Sequence, residues 1–175
     1  NVKLEYSTNG FADELQNVVI IAATPADPLP ADNLGTYAWT IPDAPSTTVK
    51  VRVSDASDAT VNDLSNANFK IQGVLTLTAP NGGEVWVVGE ARNITWTKLG
   101  NIANVKLEYS TDGGVTYPVG NLITASTAAS LLSYSWTIPD AISTLVRVRI
   151  TDVGDSAVND QSNADFKIRG SLVVG

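Results

Sequence analysis

The densest set of chemically capable side chains in this sequence is a run of oxygen donors, Asp152, Asp155, Asn159, Asp160, Asn163 and Asp165. An earlier stretch repeats part of it as Asp55, Asp58, Asn62 and Asp63. Calcium takes roughly six to eight oxygen ligands, so Asp152, Asp155 and Asp160 are candidate calcium ligands. Their spacing is not that of an EF-hand, and Asp and Asn also occupy turns because their side chains bond their own backbone. Trp39, Trp86, Trp96 and Trp136 are the second set, since an aromatic face can stack on a sugar ring. Trp96 and Trp136 fall in period with apolar residues and are expected in a core. Trp86 lies in the loop-like Gly82-Gly83-Glu84-Val85-Trp86 and is the candidate for an exposed carbohydrate contact. Asn93-Ile94-Thr95 is the one N-x-S/T sequon, which makes Asn93 a candidate glycosylation site.

Other chemistry is excluded by composition. The sequence holds Cys 0, Met 0 and His 0. Without cysteine there is no disulfide, thiolate nucleophile or cysteine-bound metal. Without histidine there is no Ser-His-Asp triad and none of the commonest general base. Paired carboxylates for glycoside hydrolysis need a cleft that fixes their separation. Glu5 and Glu108 instead lie on outward strand positions beside Lys3 and Lys106, and are expected in solvent. Lys plus Arg number 11 against 18 Asp plus Glu, a net charge of −7 that disfavours nucleic acid and anionic lipid as partners. No apolar run approaches the roughly 18 residues of a membrane helix, so membrane insertion is not expected. The hydrophobic fraction of 43% is that of a folded globular protein.

The elements that hold these residues come in two copies. Asn1 to Thr8 recurs at Asn104 to Thr111, and the WTIPD motif of Trp39 recurs at Trp136, offsets of 103 and 97 residues. The difference is an insertion of six residues in the first copy, within the Pro-rich stretch from Ala23 to Gly35. Alternation with period two runs through Val105-Lys106-Leu107-Glu108-Tyr109 and Val146-Arg147-Val148-Arg149-Ile150, placing the apolar side chains inward and both arginines in solvent. Short strands at roughly ten-residue spacing predict an all-β fold of tandem antiparallel β-sandwich modules, immunoglobulin-like or fibronectin-III-like. Ser110-Thr111-Asp112-Gly113-Gly114-Val115-Thr116-Tyr117 is a hairpin turn resembling the Asp-box, a folding device that has degenerated in the first copy.

The expected domains are a truncated repeat at 1–73, a complete repeat at 74–170, and at 171–175 the start of a further repeat or a donor strand. Only Gln72 and Gly73 separate the repeats, which predicts a stiff joint. The first repeat lacks counterparts of Val74 to Ala103, so its core face is expected to lie open along unpaired edges. An excerpt of a longer array is the first explanation, in keeping with an opening on Asn1 rather than methionine. Strand donation between copies, head to tail, is the second.

Pro80-Asn81-Gly82-Gly83-Glu84-Val85-Trp86, Asn93-Ile94-Thr95-Trp96, YSTDGG from Tyr109, YSWTIPD from Tyr134 and SNADFKI from Ser162 together resemble the Kre9/Knh1-like Ser-Thr-rich surface repeat. That resemblance implies an extracellular or cell-surface location, a sandwich fold and no catalytic residue. It also implies a role as spacer, filament or wall-assembly module whose partners are neighbouring repeats, copies of the same protein, or cell-wall polysaccharide. A carbohydrate- or protein-binding adhesion module is the rival reading. No cofactor is expected beyond the calcium candidate.

Overall fold

The computed structural model describes residues 1–24 and 35–172. The expected insertion loop and Val173 to Gly175 lie largely or wholly outside those residues. The chain divides into two compact units, Asn1–Gln72 and Gly73–Gly175.

The second unit is a two-sheet sandwich. Its strands are β6 (Val74–Ala79), β7 (Val85–Val87), β8 (Ala91–Leu99), β9 (Asn104–Ser110), β10 (Leu122–Ala128), β11 (Ser133–Thr137), β12 (Ser143–Asp152), β13 (Asn159–Gln161) and β14 (Phe166–Arg169) once the first unit's β1 to β5 are counted. One sheet runs β10-β9-β12-β14-β7 with β13 also on β12, and the other runs β11-β8-β6. All pairs are antiparallel except β14 with β7, where Lys167, Ile168 and Arg169 run parallel to Val85, Trp86 and Val87. The alternating pattern delivers Val105, Leu107, Val146, Val148 and Ile150 from one sheet against Leu75, Leu77, Ile94 and Trp96 from the other. Phe166, Ile168, Trp86 and Trp136 close the same core.

The first unit contains β1 (Val2–Ser7), β2 (Val18–Thr24), β3 (Ser46–Asp55), β4 (Asn62–Leu64) and β5 (Phe69–Ile71). These form one sheet, β2-β1-β3-β4, with β5 on β3. Registers repeat those of the second unit: Glu5 faces Arg52 as Glu108 faces Arg149, and Val53 faces Asp63 as Ile150 faces Asp160. Among the described residues this unit has no second sheet, and nothing in Asn1–Gln72 matches the sequence that builds β6, β7 and β8. Tyr37, Trp39 and Ile41 match the β11 region, yet residues 36–40 form no strand, because β11 owes its ladder wholly to β8. Among the described residues of this unit the buried apolar side chains shrink to Tyr6, Val49 and Ile71, with Trp39 and Phe69 half-buried beside them.

Candidate functional site

The acidic loop is built from turns. Asp152 closes β12 and its Oδ1 accepts from the Gly154 amide at 2.8 Å, while Asp155 Oδ1 accepts from the Ala157 amide at 3.0 Å. Asn159 Nδ2 donates to the Ser156 carbonyl at 3.0 Å. Asp160 points elsewhere: its Oδ2 accepts from the Leu77 amide at 2.7 Å, tying β13 to β6. Asp165 takes the Arg147 guanidinium at 2.7 Å. The calcium grouping expected of Asp152, Asp155 and Asp160 is therefore not assembled, and no group of three metal-ligating side chains forms among the described residues. The first copy repeats the device. Asp55 accepts from the Ser57 hydroxyl at 2.7 Å and Asp58 from the Thr60 hydroxyl at 2.6 Å, and these bonds hold both carboxyls below the ordinary range. Asx turns account for this composition.

The tryptophan expectation needs correction at Trp86. It is buried, with its ring 4.9 Å from Phe166 and edge-on to Trp136 at 6.0 Å. The cause is β7, which docks as a parallel edge strand on β14 and turns Trp86 into the sandwich. Its ring face is not a sugar platform. Trp96 is buried as expected, with its indole N–H donating to the Ala129 carbonyl at 2.9 Å. Asn93 is exposed on β8 opposite Ser135.

Glu5 and Glu108 also depart from expectation, since both are buried rather than solvated. Glu108 pairs with Lys106 on its own strand and Arg149 across the ladder. Arg149 in turn lies under the Tyr117 ring, 3.9 Å from its centroid, and the Tyr117 hydroxyl donates to Gln161 at 2.8 Å. The loop after β9 therefore folds back over the outer sheet face and buries a charge that alternation alone assigns to solvent. Burial pushes the Glu108 carboxyl up, but the Lys106 and Arg149 bonds and charges outweigh it and the carboxyl titrates below its ordinary value. Glu5 repeats this with Lys3 at 2.7 Å and Arg52 at 3.0 Å, and Arg52 stands over Phe11. Each carboxylate is held ionised by cations. Arg52 also takes Glu14 at 2.9 Å, and the Glu5 and Glu108 carboxyls are lowered where a general acid's is raised.

The Asp-box turn is formed as its sequence indicates. Asp112 accepts from the Thr116 amide at 3.0 Å and the Thr116 hydroxyl at 2.6 Å, and the Gly114 amide donates to Ser110 Oγ at 3.0 Å. The bonds from Ser110 and Thr116 lower the Asp112 carboxyl to about 2. In the first copy Ser7 keeps its half of the turn, accepting from the Phe11 amide at 3.1 Å.

Three polar features were not legible from spacing. Ser162 is fully buried, donating to the Pro80 carbonyl at 2.8 Å and accepting from the Val148 amide at 3.0 Å. Glu84 accepts from the Asn81 and Gly82 amides, both at 2.8 Å, which explains the Asn-Gly-Gly-Glu turn. The third is a groove of about 400 Å³ on the first unit, lined by Val2, Val53, Asp55, Val61, Asn62 and Asp63 among others.

The described residues define an all-β chain of two units, one a two-sheet β-sandwich and the other a single sheet, with no α-helix among them. No family model and no curated protein matches the sequence. Among solved structures the chain is similar to the fibronectin(III)-like modules of Clostridium thermocellum CbhA, with 16% identity and a TM-score of 0.37, over 96% of this chain and 78% of that one. It is also similar to a chimeric titin Z1Z2-Z1Z2 tandem carrying a GRGDS peptide from fibronectin, with 16% identity and a TM-score of 0.33, over 97% of this chain and 84% of that one.

Proposed function

We propose that this chain is a non-catalytic structural part of an extracellular surface protein or filament, in which sandwich units follow one another as rigid spacers. The observation that supports it is how the two copies spend the polar residues they share. Glu5 and Glu108, Arg52 and Arg149, Ser7 and Ser110, Asp55 and Asp152, and Asn62 and Asn159 each bond within their own unit. These shared residues therefore hold strands and turns, which is the pattern of a repeat kept for its fold. The short Gln72-Gly73 joint supports stiffness: a Cβ on Gly73 would meet Ile102 at 2.8 Å and the Leu99 carbonyl at 2.9 Å, so that end of the joint is packed tightly against its own unit. The surface location rests on the resemblance of the PNGGE-x-W and YSWTIPD motifs.

Residual dipolar couplings on the full chain test the spacer. One alignment tensor for both units is expected, and independent tensors would overturn it. Titration with wall polysaccharides and a glycan array tests the adhesion rival. No saturable binding is expected, and a reproducible millimolar or tighter ligand would replace the spacer with a binding module.

A further inference from the structure

The two sheets of the second unit end in four edge strands, β10 and β7 on one, β11 and β6 on the other. An edge leaves a row of backbone N–H and C=O groups unpaired, and proteins blunt it with charge, bulges, shortness or a cover. Three of the four are blunted here. β10 shifts register twice against β9, and β7 is three residues long. β6 shifts register before Ala79 and gives its Leu77 amide to Asp160 of β13. β11 has none of these protections. Its ladder with β8 runs without a shift from Ser133 opposite Thr95 to Thr137 opposite Ala91, and Ser133-Tyr134-Ser135-Trp136-Thr137 holds no charge and no proline.

The free groups on this edge follow from the ladder. The Trp96 amide donates to the Leu132 carbonyl at 3.2 Å and the Ile138 amide to the Glu90 carbonyl at 2.9 Å, so the even-numbered residues turn their backbone toward β8. In an antiparallel ladder the alternate residues turn theirs away. Ser133, Ser135 and Thr137 therefore present N–H and C=O to the open side, where no other strand pairs with β11 among the described residues. What fits there is written in the strand itself. In either direction β11 reads hydroxyl, aromatic, hydroxyl, aromatic, hydroxyl. An antiparallel copy centred on Ser135 sets Ser133 against Thr137, Tyr134 against Trp136 and Ser135 against its own counterpart. Hydroxyls then meet hydroxyls and rings meet rings, pairs that stabilise a sheet, and no like charges oppose one another. The same register brings Leu131 and Leu132, 62% and 44% exposed, beside Pro139 and Ile138 of the second copy.

We propose that β11 is a dimerisation edge, through which two copies of this chain join antiparallel about a two-fold axis at Ser135. Ser135 exchanges both backbone bonds with its counterpart, Ser133 exchanges its bonds with Thr137, and the β11-β8-β6 sheet continues into the same sheet of the second copy. The contact pairs one surface with itself, so it closes at the dimer. Strands of five residues bury less than the roughly 1,200 Å² of a standard interface, so the association is weak and visible only in concentrated protein. This goes beyond the spacer reading and does not depend on it.

Sedimentation equilibrium on the full chain, up to about 1 mM, reads the outcome directly. The weight-average mass is expected to rise toward a dimer and level there. Residue 135 faces its own copy, so Ser135→Lys sets two positive charges against each other on the axis and Ser135→Asp two negative ones. Each should weaken association at least about tenfold. Ser135 is exposed, so neither change threatens the fold, and thermal melts check that. An equimolar mixture of the two variants sets opposite charges across the axis and is expected to regain the dimer. A chain that stays monomeric to about 1 mM, a mass that climbs past the dimer, association that survives either substitution, or a mixture no heavier than its components would overturn the proposal.

Discussion

Ile150 and Val53 occupy the same place in the two copies, so truncating both to alanine turns the duplication into a controlled measurement. Ile150 is enclosed by both sheets, and an Ile→Ala change at such a site costs about 2–5 kcal/mol in lost transfer energy and cavity. Val53 loses two methyl groups, at most about 0.8 kcal/mol each if fully buried, and it is more than a third exposed, so about 1 kcal/mol or less is expected. Amide exchange separates the two units. The Val148 amide donates to Ser162 and the Val51 amide to Ser65, giving matched reporters deep in β12 and β3. In dilute protein, where exchange proceeds through unfolding of each unit, Ile150→Ala should speed Val148 exchange by roughly a hundredfold, and Val53→Ala should speed Val51 exchange by about fivefold or less. Equal factors would refute the reasoning, because they would mean that Val53 is as enclosed as Ile150 and that the first unit's inner face is covered in the free chain.

Gly82 and Gly83 both have positive φ, but a Cβ on Gly82 would stand 2.5 Å from Ala164 Cβ while one on Gly83 meets nothing within 4 Å. Gly83→Ala should cost about 1–2 kcal/mol from backbone strain alone, and Gly82→Ala clearly more, as read by chemical denaturation. Asp160→Ala leaves the Leu77 amide without its acceptor and should cost about 1–3 kcal/mol, whereas Asp63→Ala should leave the dilute chain's stability unchanged in the same assay. Asp112 titrates at about 2 when folded against 3.8 ordinarily, so the folded state binds fewer protons. Its stabilising contribution is therefore complete above about pH 4 and lost as pH falls toward 2, and melts across that window should show a shallower acid loss in Asp112→Ala.

Alternation and repetition were enough to read the sandwich, because Val105, Leu107, Val146 and Val148 record on which face of the sheet each side chain lies. They do not record what covers that face. Glu108 is outward by alternation and still buried, since the cover is Tyr117, brought back by a turn whose Asp112 and Thr116 make only local bonds. Trp86 was misplaced because β7 is three residues long, too short for a period, and pairs in parallel with a strand about 80 residues later. Asp160 has the composition of a turn and the job of a long-range anchor, a difference that lies in Leu77 and not in its own neighbours.

The duplication makes the general point testable within one chain. Val53 and Ile150 hold matching register positions on β3 and β12 and differ in exposure because, among the described residues, only the second unit has a β6. Residues 36–40 repeat the β11 region and form no strand, because β8 is missing. Strand identity at these positions is thus conferred by the partner.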